Sequence, residues 1–115
     1  MPEILIAVVG VKVVGSQTMN LKEMEKNSAQ AVILLKAMTN ERRLQILCLL
    51  HGTELSVGEL CGKLELSQSA LSQHLAWLRR DGLVETRKEA QTVYYTLSSE
   101  EVKAMINLLH GIYCK

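Results

Sequence analysis

At 115 residues, the chain has room for one compact domain with a modest core, a size often completed by dimerisation. Hydrophobic residues make up 48% and aromatic residues only 3%, so aliphatic helix packing must supply the interior. The formal net charge is +1, which excludes a nucleic-acid signal spread over the whole surface and leaves room only for a local basic patch.

Residues 1–18 (MPEILIAVVGVKVVGSQT) are apolar and Val-rich. They lack a basic leading segment and a long unbroken apolar run, which argues against a signal peptide and against a membrane span. Met19 opens MNLKEMEKN and reads as a natural start, so residues 1–18 are expected to be a start-site extension without a functional role. Residues 19–115 are expected to form the working domain. Three cysteines without a secretory signal point to a reducing cytosol.

From about residue 21 to residue 38, Ala31, Leu34, Leu35 and Met38 recur at helical spacing. Asn40 can cap a second helix that runs from Glu41 to about His51, with Gly52 as its stop and Leu44, Leu47, Cys48 and His51 as its stripe. Ser56 and Glu59 form a capping-box pair for a third helix over residues 57–64. Ser67 caps a fourth, which ends near Asp81. The third and fourth helices are short and closely joined, as in a helix-turn-helix. Residues 84–88 and 92–97 are β-prone runs around a short charged turn. Ser98 is expected to cap a last helix with Glu100 and Glu101 at its positive end and a stripe of Val102, Met105, Ile106, Leu109 and Ile112. The resulting fold class is mainly α with a small β component, a winged helix-turn-helix.

The fourth helix separates two kinds of side chain. Leu71, Leu75 and Leu78 share one face, whereas Ser69, Ser72, Gln73, Ala76 and Arg80 share another. An exposed helix face chosen for stability alone favours Glu and Lys. Gln can bond adenine on two atoms, and small Ser and Ala let a helix sit deep in a major groove. Gln68, Ser69, Ser72 and Gln73 are therefore candidate DNA contacts. His74 lies towards the buried side and reads equally as a core-edge histidine or as a DNA contact. Trp77 reads as packing. Arg80, with Arg79, can either cap the helix C-terminus or hold a phosphate. Arg87, Lys88 and Gln91 form the candidate wing tip, its charge diluted by Glu85 and Glu89.

These segments resemble the ArsR/SmtB family of winged-helix repressors. The resemblance is carried by ERRLQIL at 41–47, ELSVGEL at 54–60, SQSALSQHLAWLRRDGLV at 67–84 and VYYTL at 93–97. It implies a homodimer built from the first and last helices, with two reading heads on a pseudo-palindromic double-stranded DNA operator about 34 Å apart. It also implies a place on the nucleoid in the cytoplasm. Many relatives sense soft metals through a Cys-x-Cys in the third helix; Ser56 and Gly58 stand at those positions here. The last helix offers His110 alone, so neither a metal nor a cofactor is expected.

Cys48 and Cys114 match the two cysteines of the family's thiol-sensing branch, which implies a switch driven by oxidation or persulfidation. A direct disulfide between them needs Cα atoms within about 7 Å, a limit that extra bridging sulfur would relax. Cys61 has no evident partner. The rival reading is zinc held by Cys48, His51, His110 and Cys114, which fall on helix faces at spacings of three and four. With no room expected for an activation domain, such a regulator would either block polymerase or displace another bound protein; the resemblance implies the latter, a bound silencer, with net activation of toxin or haemolysin genes. Catalysis is not expected: Ser72 and His74, the nearest nucleophile and base, are two apart on a helix and point away from each other. A bare dimerisation module would leave the polar face of the fourth helix without a role.

Overall fold

The structure is a computed structural model that describes residues 20–114; the expectation placed on residues 1–18 lies outside it. Five helices and a three-stranded sheet follow in the order α1 (Leu21–Met38), α2 (Glu41–Leu49), β1 (Leu55–Ser56), α3 (Val57–Leu64), α4 (Gln68–Arg80), β2 (Val84–Glu89), β3 (Thr92–Leu97) and α5 (Glu100–Tyr113). The sheet is antiparallel with strand order β1-β3-β2. This is the winged helix-turn-helix architecture expected from the pattern.

Each helix starts where a short polar side chain can take a free backbone N–H. Asn20 accepts from the Glu23 N–H at 2.9 Å, Asn40 from Arg43 at 3.0 Å and Ser67 from Ala70 at 3.1 Å. Ser56 and Glu59 complete a reciprocal capping box. The last helix departs from expectation. Ser99, not Ser98, caps α5 by accepting from the Val102 N–H at 3.1 Å. Ser98 is used elsewhere: its hydroxyl donates to the Gly82 carbonyl and its N–H to the Leu83 carbonyl, tying the end of β3 to the turn after α4. Helix α2 ends at Leu49, two residues short of His51, and Gly52 takes φ +72° in the turn that follows. The two-residue strand β1 was too short to leave a pattern; it pairs Leu55 with Tyr95 and Ser56 with Tyr94.

Leu and Ile from α2, α3, α4 and α5 fill the interior: Ile46, Leu47, Leu50, Leu60, Leu71, Leu75, Leu78 and Ile106 are all essentially inaccessible. No aromatic side chain is among the buried residues, in keeping with the composition. The stripe expected on α1 is only half used. Ala37 and Met38 are buried and Leu34 packs on the core, but Ala31 and Leu35 are exposed, as are Leu21, Met24, Val32 and Ile33. Among the described residues, this 18-residue helix is thus anchored to the core through its last turns.

Two adjacent arginines in the first turn of α2 hold the ends of its neighbours. Arg42 donates to the Leu64 carbonyl at the end of α3 at 3.4 Å. Arg43 donates to the Ala37 carbonyl at 3.0 Å and to Lys36 at 3.4 Å, at the end of α1. Cations at helix C-termini are favoured by the unpaired carbonyls there. No helix among the described residues is long and apolar enough to cross a membrane.

Candidate nucleic-acid interface

Helix α4 owes its orientation to three leucines. Leu71, Leu75 and Leu78 are 0–1% exposed, which fixes rotation about the helix axis and forces the opposite face outward. Gln68, Ser69, Ser72, Gln73, Ala76, Arg79 and Arg80 are all exposed on α4. Ser69 shares a 3.3 Å hydroxyl contact with the cap residue Ser67. Arg80 reaches Asp81 at 3.3 Å, which dilutes its charge.

His74 sits half-buried, and burial, then the charges of Arg43 and Arg42, hold its pKa below the usual histidine value. It is neutral near pH 7. Trp77, read as packing, meets two arginines at the edge of the core. It is 38% exposed, with the Arg43 guanidinium 3.9 Å from the ring centroid and that of Arg80 at 5.2 Å.

The β2–β3 hairpin forms the wing, joined by Ala90 and Gln91, with Ala90 at φ +55°. Lys88 and Gln91 are exposed near its tip. Arg87 is held midway along the wing. Its Nε and Nη2 donate to the two carboxylate oxygens of Glu54 at 3.2 and 2.5 Å, its Nη1 donates to Glu89 at 2.8 Å, and its guanidinium lies 4.7 Å from the Tyr94 ring centroid. Donating hydrogen bonds to Glu54 and Glu89 raises the Arg87 pKa further, and accepting them from Arg87 lowers that of Glu54. Sequence reasoning missed Glu54, because a partner 33 positions away leaves no local signal. It also missed Arg43, a charge within an otherwise ordinary amphipathic helix.

The cysteines are all free thiols. Cys48 and Cys61 are half-buried and Cys114 is exposed. Burial, with a smaller contribution from the charge of Cys114, pushes the Cys48 thiol up. Beside them, His51 and His110 stack with ring centroids 4.5 Å apart and planes 19° from parallel, and His51 Nε2 lies 3.2 Å from Asn107 Oδ1. The zinc set Cys48, His51, His110 and Cys114 does not assemble: among the described residues no three His, Cys, Asp or Glu side chains converge to hold a metal. The imidazoles meet face to face instead of pointing nitrogens at a common centre.

The family model for bacterial regulatory proteins of the arsR family matches residues 40–86, which span α2 through the first half of the first wing strand. The transcriptional activator HlyU of Vibrio cholerae serotype O1 is 81% identical over 97 residues, covering 84% of this chain and 90% of the relative. The chain belongs to the ArsR family. The structure of reduced HlyU from Vibrio cholerae superposes with a TM-score of 0.80 at 81% identity, over 83% of this chain and all of that one. The homodimeric winged helix-turn-helix domain Mb0332 of Mycobacterium bovis, a possible ArsR-family regulator, superposes at 0.70 with 29% identity, over 86% of this chain and 89% of that one. The protein is accordingly an HlyU-like, DNA-binding transcriptional regulator of the ArsR family. Its relatives are regulators and not enzymes, in line with the absence of a catalytic constellation expected from the sequence.

Proposed function

We propose that the protein acts as a homodimer on a pseudo-palindromic operator, with α4 of each protomer in a major groove and its DNA affinity set by the state of Cys48 and Cys114. The observation that carries this reading is the pinned face of α4: three buried leucines leave Ser69, Ser72 and Gln73 projecting together. Gln73 and Gln68 supply bidentate donors and acceptors for base edges, and Ser69 and Ser72 allow close approach. Lys88 and Gln91 contact the backbone beside the groove. Arg87 keeps its Glu54 clamp and exchanges Glu89 for a phosphate, and Arg80 does the same with Asp81. His74, being neutral and half-buried, makes at most an edge contact. The apolar residues left open on α1 and at the end of α5 (Ile33, Leu35, Ile112 and Tyr113) are the dimer surface.

In the switch, exposed Cys114 is the first thiol to react. Its thiolate attacks peroxide, forming a sulfenic acid and releasing hydroxide; Cys48 then displaces water to close a disulfide. With a persulfide donor, Cys114 takes up two sulfane sulfurs in turn, each transfer releasing the donor's thiol, and Cys48 then attacks the sulfur next to the terminal one, expelling hydrogen sulfide and leaving a trisulfide bridge. The bond joins the DNA-reading body to α5 and alters the spacing of the two α4 helices. The likeness to a transcriptional activator, HlyU, supports net activation, here of virulence genes such as haemolysin or toxin genes, by displacement of a silencer on the nucleoid.

The test is a gel-shift titration on a duplex selected by the protein from a random pool, run in parallel with reductant, peroxide, persulfide and chelator. The reading expects tight binding with reductant, release with either oxidant, and no effect of chelator. Cys48→Ser and Cys114→Ser should bind normally when reduced and fail to release. Release of either variant by oxidant overturns the two-cysteine switch.

A further inference from the structure

Arg43 is the one buried charged residue among the described residues, at 7% exposure. A buried cation is costly unless its donors are satisfied and its charge is balanced. Arg43 makes no ion pair with any described carboxylate. Its Nε donates to the Ala37 carbonyl and its Nη2 to Lys36, both in the last turn of α1. Its guanidinium lies 3.9 Å from the centroid of Trp77 on α4. The charge is thus balanced by helix-end carbonyls on one element and by an indole face on another.

Trp77 lies one helical turn beyond Gln73. Leu71, Leu75 and Leu78 face inward and fix rotation of α4, and the Arg43 guanidinium on the Trp77 ring adds a directional contact between α4 and the end of α1. We infer that Arg43 is a positioning residue for DNA reading: it clamps the end of α1 to Trp77 and so sets the place of the Ser69, Ser72 and Gln73 face relative to the helix that joins the protomers. The inference rests on the proposed reading of α4 as the base-reading helix and α1 as a dimerising helix. It assigns to Trp77 a role other than packing or DNA contact.

The test uses the full-length dimer and a duplex selected by the wild-type protein, with a scrambled duplex for comparison. Arg43→Lys keeps the charge but loses the planar fork, and Trp77→Leu removes the ring from a partly exposed position that should fold even if Arg43→Lys does not. Each is expected to lower the selected-to-scrambled affinity ratio about tenfold, with dimerisation and the affinity for scrambled DNA unchanged. The double variant should lose no more than either single one, because both remove the same clamp. Trp77→Phe, which keeps an aromatic face, should recover part of the ratio. Trp77 is the only tryptophan in the chain, so acrylamide quenching of Trp77 should increase in Arg43→Lys and report loss of the stack directly. An unchanged ratio in a folded Trp77→Leu dimer, or losses that simply add in the double variant, overturns the inference. Gln73→Ala separates the two levels of the argument: if it abolishes selectivity and Trp77→Leu does not, only the clamp fails, whereas if Gln73→Ala is silent the reading of α4 fails with it.

Discussion

Two side chains occupy backbone conformations that suit glycine. Glu65 ends α3 at φ 54°, ψ 41°, and Ala90 tips the wing at φ 55°. A Cβ in the left-handed region crowds the following carbonyl, at a cost of about 1–2 kcal/mol, part of which glycine forfeits as unfolded-state entropy. Glu65→Gly should therefore raise stability by about 0.5–1 kcal/mol in urea unfolding. Ala90→Gly should do the same without altering the register of β2 and β3. A loss of stability in either would show that the neighbouring turn, and not the local φ, sets the energy. The cysteines yield a second expectation at this scale. Burial and the Cys114 charge both favour protonated Cys48, so alkylation of Cys48 should lag behind an ordinary thiol and keep rising at high pH. Cys114→Ser removes one cause and should move the Cys48 reaction to lower pH, as followed by mass spectrometry. Because the folded-state pKa is raised, the associated stability is complete below the ordinary thiol range and is lost as pH climbs through the folded value.

Among the elements, the α3 cap and the wing carry the clearest consequences. Ser56→Ala removes the accepting hydroxyl of a complete capping box and should cost about 1 kcal/mol. Hydrogen bonds from Ser56 hold Glu59 below the usual carboxylate range, and Arg87 does so for Glu54. Both contributions are present above that range and fade as pH falls through the lowered values. The Glu54–Arg87 pair is exposed, so Glu54→Gln should change stability little. It should nevertheless leave more net positive charge at the wing and raise affinity for scrambled DNA, whereas Arg87→Gln should weaken binding and flatten the salt dependence by about one unit of slope. An unchanged slope in Arg87→Gln would mean that Arg87 is a strut and not a phosphate contact. Helix-start signals were legible in the sequence because capping is local chemistry; Ser56, Ser67 and Asn40 all act where they were expected to. Ser98 misled because Ser98 and Ser99 offer the same hydroxyl, and only the tie to Gly82 separates them. The partners of Arg43 and Arg87 were illegible, since they depend on how distant elements meet.

At the scale of the molecule, α1 is an 18-residue helix with Leu21, Met24, Val32, Ile33 and Leu35 open to solvent. Its periodicity was visible in the chain, but the sequence alone could not say that half the stripe faces away from its own core. A second copy would bury that surface and complete a small interior. Leu35→Asp should shift the dimer towards monomer in sedimentation equilibrium and make the melting temperature more dependent on protein concentration. A wild-type protein that stays monomeric at high concentration would remove the basis for paired reading heads.

The central claim is that the outward face of α4 reads bases. The most direct check is the affinity of Gln73→Ala for the selected duplex against a scrambled one, with the dimer verified in the same samples. Loss of a bidentate base contact should cost about 1–3 kcal/mol, a drop of roughly tenfold to a hundredfold in that ratio, while scrambled binding stays as it was. An intact ratio, or an equal fall on both duplexes, would contradict it.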